Sequence, residues 1–378
     1  MKPALPDGLI VVAKADCPTC RLVEPLLAEI AQAGPLTVYS QDSAEYAAEL
    51  PSALYDQSLE HSFHLGIEFV PTLIRVESGQ EVKRTYGWHK EDWRQLTGLP
   101  ELGEALPIMR PGCGSKTLEP GISEELELAF GDVRLSAREI DMSASDDPME
   151  ACFERGWSDG LPVVPPTPVR VLRMLKGTSR QPDEVVGLMP PDLVPVTVEK
   201  VAINAVLAGC KPEYMPVLLA ALEAALSDEF GLHGLICTTM FGSPMIVVNG
   251  PAARAIGMNS GVNALGQGNR ANATIGRALQ LIIRNVGGGR PGEIDRQTGS
   301  TRHRQGTGAT PRGNPPVPRR SRHCLSPLQV LTHRVQVDRL VRLAEQVASE
   351  SFRTIEEDGN HGIVVVFPPV APEIVAPL

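Results

Sequence analysis

Short apolar runs alternate with amphipathic stretches over the first part of the chain. Apolar runs bounded by Gly, Pro and Ser predict strands, and apolar residues spaced three to four apart predict helices. Pro25 and Pro51 fall inside two helical stretches and are expected to interrupt them. The predicted order is β-α-β-α-β-β-α, with strands at 10–13, 36–39, 69–76 and 81–86 and helices at 21–33, 44–66 and 90–98.

The pattern changes after residue 99. Residues 100–147 contain many Pro and Gly residues and predict a linker, with one short acidic helix over 123–130 that Ser123 caps. Apolar periodicity returns at residue 149 and predicts a second globular region. Its predicted helices cover 168–176, 198–207, 215–226, 271–285 and 335–349, and its predicted strands cover 235–240, 245–248 and 362–367.

Together these elements predict an α/β protein with two domains, the second of unknown architecture. The length of 378 residues agrees, since a domain typically has about 100–200 residues. The predicted divisions are a first domain over 1–99, a Pro/Gly-rich linker over 100–147, a second α/β domain over 148–289, a basic irregular segment over 290–324, and a C-terminal helix, strand and Pro-rich tail over 325–378.

The basic segment over 290–324 differs from the rest of the chain. It has eight Arg and two acidic residues, whereas the whole chain has a net charge of −10. Its lack of hydrophobic periodicity predicts a disordered loop. A structureless loop of this length is uncommon inside a compact domain, so a local shift of the reading frame is an alternative origin. Both interpretations stay open.

Composition excludes several classes of protein. The net charge of −10 argues against nucleic-acid binding, and no apolar run approaches the ~18 residues of a membrane span. The first residues lack the apolar core of a secretory signal peptide, so we expect a cytoplasmic location. The seven cysteines are then expected to be free thiols, and the sequence indicates neither a metal site nor a cofactor.

Cys17 and Cys20 are the most informative cysteines. They follow a predicted strand and open a predicted helix. Backbone N–H groups at a helix N-terminus favour a thiolate, so the pKa of Cys17 is expected below the usual ~8.5. Cys20 lies one turn further on and is placed to attack a mixed disulfide. We therefore assign Cys17 as the attacking thiol and Cys20 as the resolving thiol.

Residues 6–98 resemble the thioredoxin-like family. The resemblance rests on CPTC at 17–20 after a strand, on VPT at 70–72, and on the element order. It implies a central sheet flanked by helices, a cis peptide bond before the proline of VPT, and disulfide or thiol substrates, protein or small-molecule, with an upstream thiol reductant. It also implies that the wall of the substrate groove is formed by Val70, Pro71 and Thr72.

The chain departs from that family at two places. The family often has an aromatic residue before the dithiol, where this chain has Ala15 and Asp16. Thioredoxins proper carry a buried acid on the first strand, near the position of the apolar Val11. The general acid or base of the resolving step is therefore unassigned, with Lys14 and Asp16 as nearby candidates.

Three other cysteines are candidate secondary thiols. Cys113 lies between glycines with basic residues nearby, which favour a thiolate. It is either an exposed linker cysteine or a partner for Cys17 or Cys20. Cys210 and Cys237 lie in apolar surroundings, where buried and unreactive cysteine is the alternative interpretation.

Three motifs mark the second region: GWSDGLP at 156–162, NAVLAGC at 204–210 and NRANATIGR at 269–277. Through them residues 149–296 resemble an uncharacterised bacterial domain associated with selenoproteins of the UGSC type, which implies no particular reaction. A loose G-x-G-x-x-A pattern also opens a predicted helix here and can bind an anion, a tight structural turn being the alternative. The candidate anion-binding residues are Gly266, Gly268, Arg270 and Asn272.

The sequence therefore predicts a thiol–disulfide oxidoreductase. In this interpretation Cys17 and Cys20 serve a fused domain that acts on a sulfur- or selenium-containing substrate. The alternative is a non-catalytic module that binds a soft metal ion or a thiol adduct through the same two cysteines, with a structural second domain.

Overall fold

The structure is a computed structural model that describes residues 5–143, 145–238, 244–249, 251–260, 262, 267–296, 352–357 and 360–367, the last two stretches as backbone only. It divides into two compact units, Met1–Val133 and Arg134–Leu378. The described chain is mixed α/β. None of its described helices combines the length and apolar character needed to cross a membrane.

The first unit alternates strands and helices along the chain. Its elements are β1 (Gly8–Ala13), α1 (Pro18–Val23), α2 (Leu26–Ala33), β2 (Leu36–Ser40), β3 (Ala53–Tyr55), α3 (Glu60–His64), β4 (Phe69–Val70), β5 (Thr72–Glu77), β6 (Gln80–Tyr86), β7 (Trp88–His89), α4 (Lys90–Thr97), β8 (Met109–Arg110), β9 (Cys113–Gly114), a 3₁₀ turn at Lys116–Leu118 and α5 (Ile122–Phe130).

Five of these strands form a mixed sheet in the order β3-β2-β1-β5-β6. The central strand β1 runs parallel to β2 and antiparallel to β5. Ile10, Val11 and Val12 have no exposed surface, because a central strand is covered on both faces. This explains the unbroken apolar run at the start of the sequence. The strand ends at Ala13, so the residues that follow lie at the carboxyl end of β1.

The prediction of a helix over residues 44–66 is wrong. This stretch contains turns, the short strand β3 and the short helix α3. β3 pairs in parallel with β2 at the sheet edge, a tertiary pairing that overrides the helix propensity of the alanines. The other predicted strands and helices of this unit are confirmed to within a few residues, and Pro25 separates α1 from α2.

Residues 100–133 belong to the first unit, so the predicted linker over 100–147 is wrong in this range. β8 pairs with β7, and β9 pairs with β4. Leu102 is fully buried, and the indole N–H of Trp88 donates to the Pro107 carbonyl over 2.7 Å. The acidic helix is confirmed as α5, but Gly121 rather than Ser123 is its N-cap.

The second unit is rich in helices. Its elements are α6 (Pro148–Glu154), α7 (Pro168–Leu175), β10 (Val185–Met189), β11 (Val194–Thr197), α8 (Val198–Ala208), a 3₁₀ turn at Pro212–Tyr214, α9 (Met215–Ala225), a 3₁₀ turn at Asp228–Phe230, α10 (Leu232–Cys237), β12 (Met245–Asn249), α11 (Pro251–Ala255), α12 (Arg270–Asn285), β13 (Phe352–Glu357) and β14 (Asn360–Phe367).

Helices α8 and α9 form the centre of the second unit's core and are buried on most of their surface. They are apolar nearly all round, as expected for helices enclosed by other elements. The amphipathic helix α12 packs against both. Strands β12, β14 and β13 form an antiparallel sheet in that order, and β10 pairs with β11.

The predicted helices at 168–176, 198–207, 215–226 and 271–285 are confirmed, as are the strands at 245–248 and 362–367. The strand predicted over 235–240 is wrong for its first residues, since helix α10 ends at Cys237. The predicted helix over 335–349, the Pro-rich tail and the basic segment from residue 297 onward lie outside the described residues.

Candidate functional site

Cys17 lies just beyond the central strand β1 and is the N-cap residue of helix α1. Pro18 occupies the first helical position, where its missing N–H would have no helical partner anyway. The Cys20 N–H donates to Cys17 Sγ over 3.4 Å. Local sequence rules therefore place this thiol at the carboxyl end of the strand, as predicted.

Cys20 lies one turn further along α1 and has no exposed surface. Its sulfur accepts a hydrogen bond from the Lys14 N–H over 3.4 Å, and its carbonyl accepts one from the Tyr46 hydroxyl over 2.8 Å. Burial raises the pKa of the Cys20 thiol far above its usual value. Cys20 is therefore a protonated thiol at neutral pH when the site is reduced.

Cys113 is a third thiol at this site. Strand β9 pairs antiparallel with β4, with Cys113 opposite Val70. This pairing brings Cys113 Sγ to 2.8 Å from Cys17 Sγ. A disulfide bond measures ~2.05 Å, so these two sulfurs need to approach by less than about 1 Å to form one. Cys113 is partly exposed, whereas Cys17 is buried.

The pKa values of the Cys17 and Cys113 thiols are shifted in opposite directions. Burial opposes ionisation of Cys17, but hydrogen bonds from the Cys113 thiol and the Cys20 N–H outweigh it and hold the pKa of Cys17 below its usual value. Burial and the interaction with Cys17 raise the pKa of Cys113, although the Lys14 ammonium acts against them. Cys17 is therefore the first of these thiols to ionise.

Polar side chains hold β9 and its neighbouring residues in place. The Thr19 hydroxyl donates to the Pro111 carbonyl over 2.7 Å. The buried Gln41 amide donates to Ser115 Oγ over 2.8 Å and accepts from the Lys116 N–H over 3.0 Å. These bonds link the segment to α1 and to the end of β2, so the position of Cys113 is fixed on both sides.

Of the predicted groove residues, Val70 lies beside the dithiol. The Val70–Pro71 peptide bond is cis, as the resemblance implies. The Val70 carbonyl oxygen lies 3.6 Å from Cys17 Sγ. Thr72 is buried, and its hydroxyl donates to the Phe69 carbonyl over 2.6 Å. The backbone of Val70 is paired with Cys113, so this edge is occupied by the chain itself.

Lys14 and Asp16 were the candidates for acid–base chemistry. Their side chains form an ion pair of 3.3 Å. Burial opposes the charge on Lys14, but Asp16 outweighs it and raises the Lys14 pKa. Lys14 is therefore a fixed cation near Cys113 at neutral pH, and its charge favours a Cys113 thiolate.

Sequence reasoning missed Gln41, Asp42 and Tyr46. The Asp42 carboxylate accepts from the Ala15 N–H over 2.6 Å and from the Asp16 N–H over 3.0 Å, and so fixes the turn before Cys17. Gln41 and Asp42 directly follow β2, which is parallel to β1. The carboxyl ends of neighbouring parallel strands lie at the same edge of a sheet. Polar residues directly after the second predicted strand could therefore have been recognised in the sequence as neighbours of Cys17.

Cys210 and Cys237 differ from each other. Cys210 is buried, and burial raises the pKa of its thiol to about 11, which agrees with an unreactive core cysteine. Cys237 is exposed, so the interpretation as a buried cysteine is wrong for this residue. It ends helix α10, whose other face is buried. Both thiols belong to the second unit, whereas Cys17 belongs to the first.

Two of the four candidate anion-binding residues, Arg270 and Asn272, make contacts within the second unit. The Arg270 guanidinium donates to the Gly209 carbonyl over 2.8 Å, at the end of α8. Asn272 is buried and bonds to the backbone of Asn259 in both directions. Gly268 is exposed with a φ of +111°, and Gly266 lies outside the described residues. The structural-turn interpretation therefore fits Arg270 and Asn272.

A cavity of about 600 Å³ lies inside the second unit, a size that suits a small ligand. Trp157 and Cys152 contribute to its lining. The Glu199 carboxylate in its wall accepts hydrogen bonds from three donors: the Ser136 N–H, the Ser136 hydroxyl and the Ala137 N–H. The Glu199 carboxylate is thus engaged by the chain itself.

Among the described residues, no cluster of three or more His, Cys, Asp or Glu side chains is arranged to hold a metal ion. Comparisons with family models, with curated proteins and with solved structures find no match to this chain.

Proposed function

We propose that the protein is a thiol–disulfide oxidoreductase whose first unit is a thioredoxin-like module. One observation carries the proposal: Cys17 is the N-cap of helix α1, where hydrogen bonds lower its pKa, and Cys20 one turn away is buried, which raises its pKa. This difference suits an attacking thiolate and a resolving thiol that ionises later. The sheet order supports it, because β1 leads into the dithiol between parallel β2 and antiparallel β5.

The chemistry has two exchange steps. The Cys17 thiolate attacks one sulfur of a substrate disulfide, forms a mixed disulfide and releases the other sulfur as a thiolate. Cys20 then gives up its proton and attacks Cys17 Sγ, which forms the Cys17–Cys20 disulfide and releases the second substrate thiol. The substrate disulfide is reduced by two electrons, the dithiol is oxidised by two, and an external thiol reductant returns the dithiol to its starting state.

The test is reduction of insulin disulfides by the full chain with dithiothreitol as reductant. Cys17→Ser is expected to reduce the rate to the uncatalysed background. Cys20→Ser is expected to stop turnover and to accumulate a disulfide at Cys17 that no resolving thiol can break. Cys152→Ser is the matched control, because Cys152 is buried in the second unit.

Equal rates for the wild type and Cys17→Ser would contradict the proposal. Stoichiometric binding of Cu(I) that requires Cys17 and Cys20, in a protein with no reductase activity, would contradict it too. That second result would identify the soft-metal module instead.

A further inference from the structure

We propose that Cys113 is a third redox thiol through which the buried Cys17 exchanges disulfides with external thiols and disulfides. The inference rests on the proposed function and adds a residue and an order of events to it. The first partner of Cys17 is then a cysteine of the same chain.

Cys113 is more accessible to solvent than Cys17 and Cys20. Cys17 and Cys20 have no exposed surface, while Cys113 is partly exposed. Of the thiols described in the first unit, Cys113 is the one that both contacts Cys17 and reaches the surface. With the 113–114 strand in place, a molecule in solution meets Cys113 before Cys17.

The backbone next to Cys113 is closely packed against Val70 and Gly87. A Cβ on Gly112 would lie 2.6 Å from the Val70 carbonyl oxygen, and one on Gly87 would lie 2.7 Å from the Gly112 nitrogen. Only glycine fits such an approach without displacing the backbone. The β9–β4 pairing then aligns Cys113 with Val70, whose carbonyl also lies beside Cys17. The contact between the two sulfurs is therefore set by the fold.

Lys14 and Cys17 act in opposite directions on the ionisation of Cys113. The Lys14 ammonium favours the Cys113 thiolate, and Lys14 is itself held by Asp16. The Cys17 thiolate opposes that ionisation in the reduced site. Each sulfur therefore responds to the protonation and oxidation state of the other, as two partners in exchange must.

Three thiol–disulfide exchange steps transfer two electrons from the dithiol to the external disulfide. Cys113 gives up its proton, attacks one sulfur of an external disulfide, forms a mixed disulfide and releases the other external sulfur as a thiolate. The Cys17 thiolate attacks Cys113 Sγ, forms the Cys17–Cys113 disulfide and releases the second external thiolate. Cys20 loses its proton and attacks Cys17 Sγ, which forms the Cys17–Cys20 disulfide and returns Cys113 as a thiolate. One external disulfide gains two electrons, which the Cys17–Cys20 dithiol loses.

The experiment treats the reduced full chain with oxidised glutathione, quenches with acid, and maps disulfides by mass spectrometry over time. The wild type is expected to form Cys17–Cys20. Cys20→Ser is expected to accumulate Cys17–Cys113, and Cys17→Ser to keep glutathione on Cys113. Cys113→Ala is expected to form Cys17–Cys20 roughly tenfold more slowly or worse, because the intramolecular route is lost.

Two glycine variants test the geometry with all thiols present. Gly112→Ala is expected to slow formation of Cys17–Cys20 as Cys113→Ala does, since its Cβ meets the Val70 backbone. Gly114→Ala is the matched control, because its Cβ has open space. An unchanged rate in Cys113→Ala, or glutathione on Cys17 with free Cys113 in Cys20→Ser, overturns the inference but leaves the proposed function standing. A wild type that forms no Cys17–Cys20 disulfide overturns both.

Discussion

The acidity of Cys17 depends on groups that are distant in sequence. The Cys20 N–H comes from its own helix, but the thiol of Cys113 comes from a strand 96 residues further along the chain. A hydrogen bond from a neutral thiol to a thiolate stabilises the charged form and lowers its pKa. The reactivity of the candidate nucleophile is therefore partly a property of the 113–114 strand.

Cys113→Ala is expected to raise the pKa of Cys17, because the thiolate loses a hydrogen-bond donor. The rate of alkylation of Cys17 by iodoacetamide should then rise at a higher pH than in the wild type. The measurement follows the modified peptide by mass spectrometry across pH. Cys152→Ala is the control, and a profile identical to the wild type would show that Cys113 does not act on Cys17.

An ion pair between Asp159 and Arg277 holds the loop before α7 in the second unit. The Arg277 guanidinium on α12 contacts both carboxylate oxygens of Asp159, at 2.9 Å and 2.7 Å, and also the Leu161 carbonyl. Burial opposes the charge on Asp159, but Arg277 outweighs it and lowers the Asp159 pKa. The motif at 156–162 is therefore attached to the second unit's main amphipathic helix.

Asp159→Ala is expected to lower the free energy of unfolding of the second unit by about 2 kcal/mol at pH 7, since it removes the carboxylate partner of a mostly buried guanidinium. The folded pKa of Asp159 lies below its unfolded value, so its contribution is present above the unfolded pKa of ~3.9 and is lost as pH falls through the folded pKa.

Urea unfolding at pH 7 and pH 3 measures both effects. The wild type and Asp159→Ala should differ less at the lower pH. Asp183→Ala, at an exposed carboxylate of the same unit, is the control. Equal stability of the wild type and Asp159→Ala at pH 7 would show that the ion pair contributes nothing.

The segment that carries Cys113 covers an edge to which another chain could add. β9 uses the backbone of β4, so a polypeptide cannot pair there at the same time. Gln41 and Thr19 hold this segment in place by side-chain hydrogen bonds. Release of the segment would open the dithiol to larger substrates.

Gln41→Ala removes two hydrogen bonds to residues 115 and 116 and is expected to cost about 1–3 kcal/mol of stability. Because the segment is then less firmly held, reduction of insulin should be faster than in the wild type at a temperature where both are folded. Gln95→Ala, at an exposed amide on α4, is the matched control. A slower or unchanged insulin rate in folded Gln41→Ala would contradict this role.

At the scale of the whole molecule, the first unit ends later than its sequence pattern suggests. Its core includes Leu102, and its strand pairs extend to residue 114. Compact units with their own core fold as independent domains. The relevant boundary is therefore near Val133, which closes the first unit.

A chain of residues 1–133 is expected to unfold cooperatively in urea and to keep the lowered Cys17 pKa. A chain of residues 1–99 lacks Leu102, Pro107 and Cys113, so it should be less stable and have a higher Cys17 pKa. Fluorescence of Trp88 and Trp93, both fully buried, reports the unfolding. Equal stability of the two chains would show that residues 100–133 are dispensable.

Much of the first unit could be read from local sequence. Apolar runs located β1, β2 and β5, because buried strands need continuous apolar residues. The dithiol at the start of α1 followed from the Cys-Pro-x-Cys order, since both N-capping and proline at the first turn are local effects. Helix α12 was found by its amphipathic periodicity, and α8 and α9 were found as apolar stretches of helical length.

Tertiary structure alone decided the rest. The alanines near residue 47 favour a helix, but edge pairing with β2 placed β3 shortly after them. Cys113 sits in a Gly- and Pro-rich stretch typical of a linker, because a two-residue strand carries almost no periodic signal. The sequence by itself determined which thiol begins the helix. The long-range pairing of β9 with β4 determined which thiol that cysteine contacts, since such a pairing depends on residues far apart in the chain.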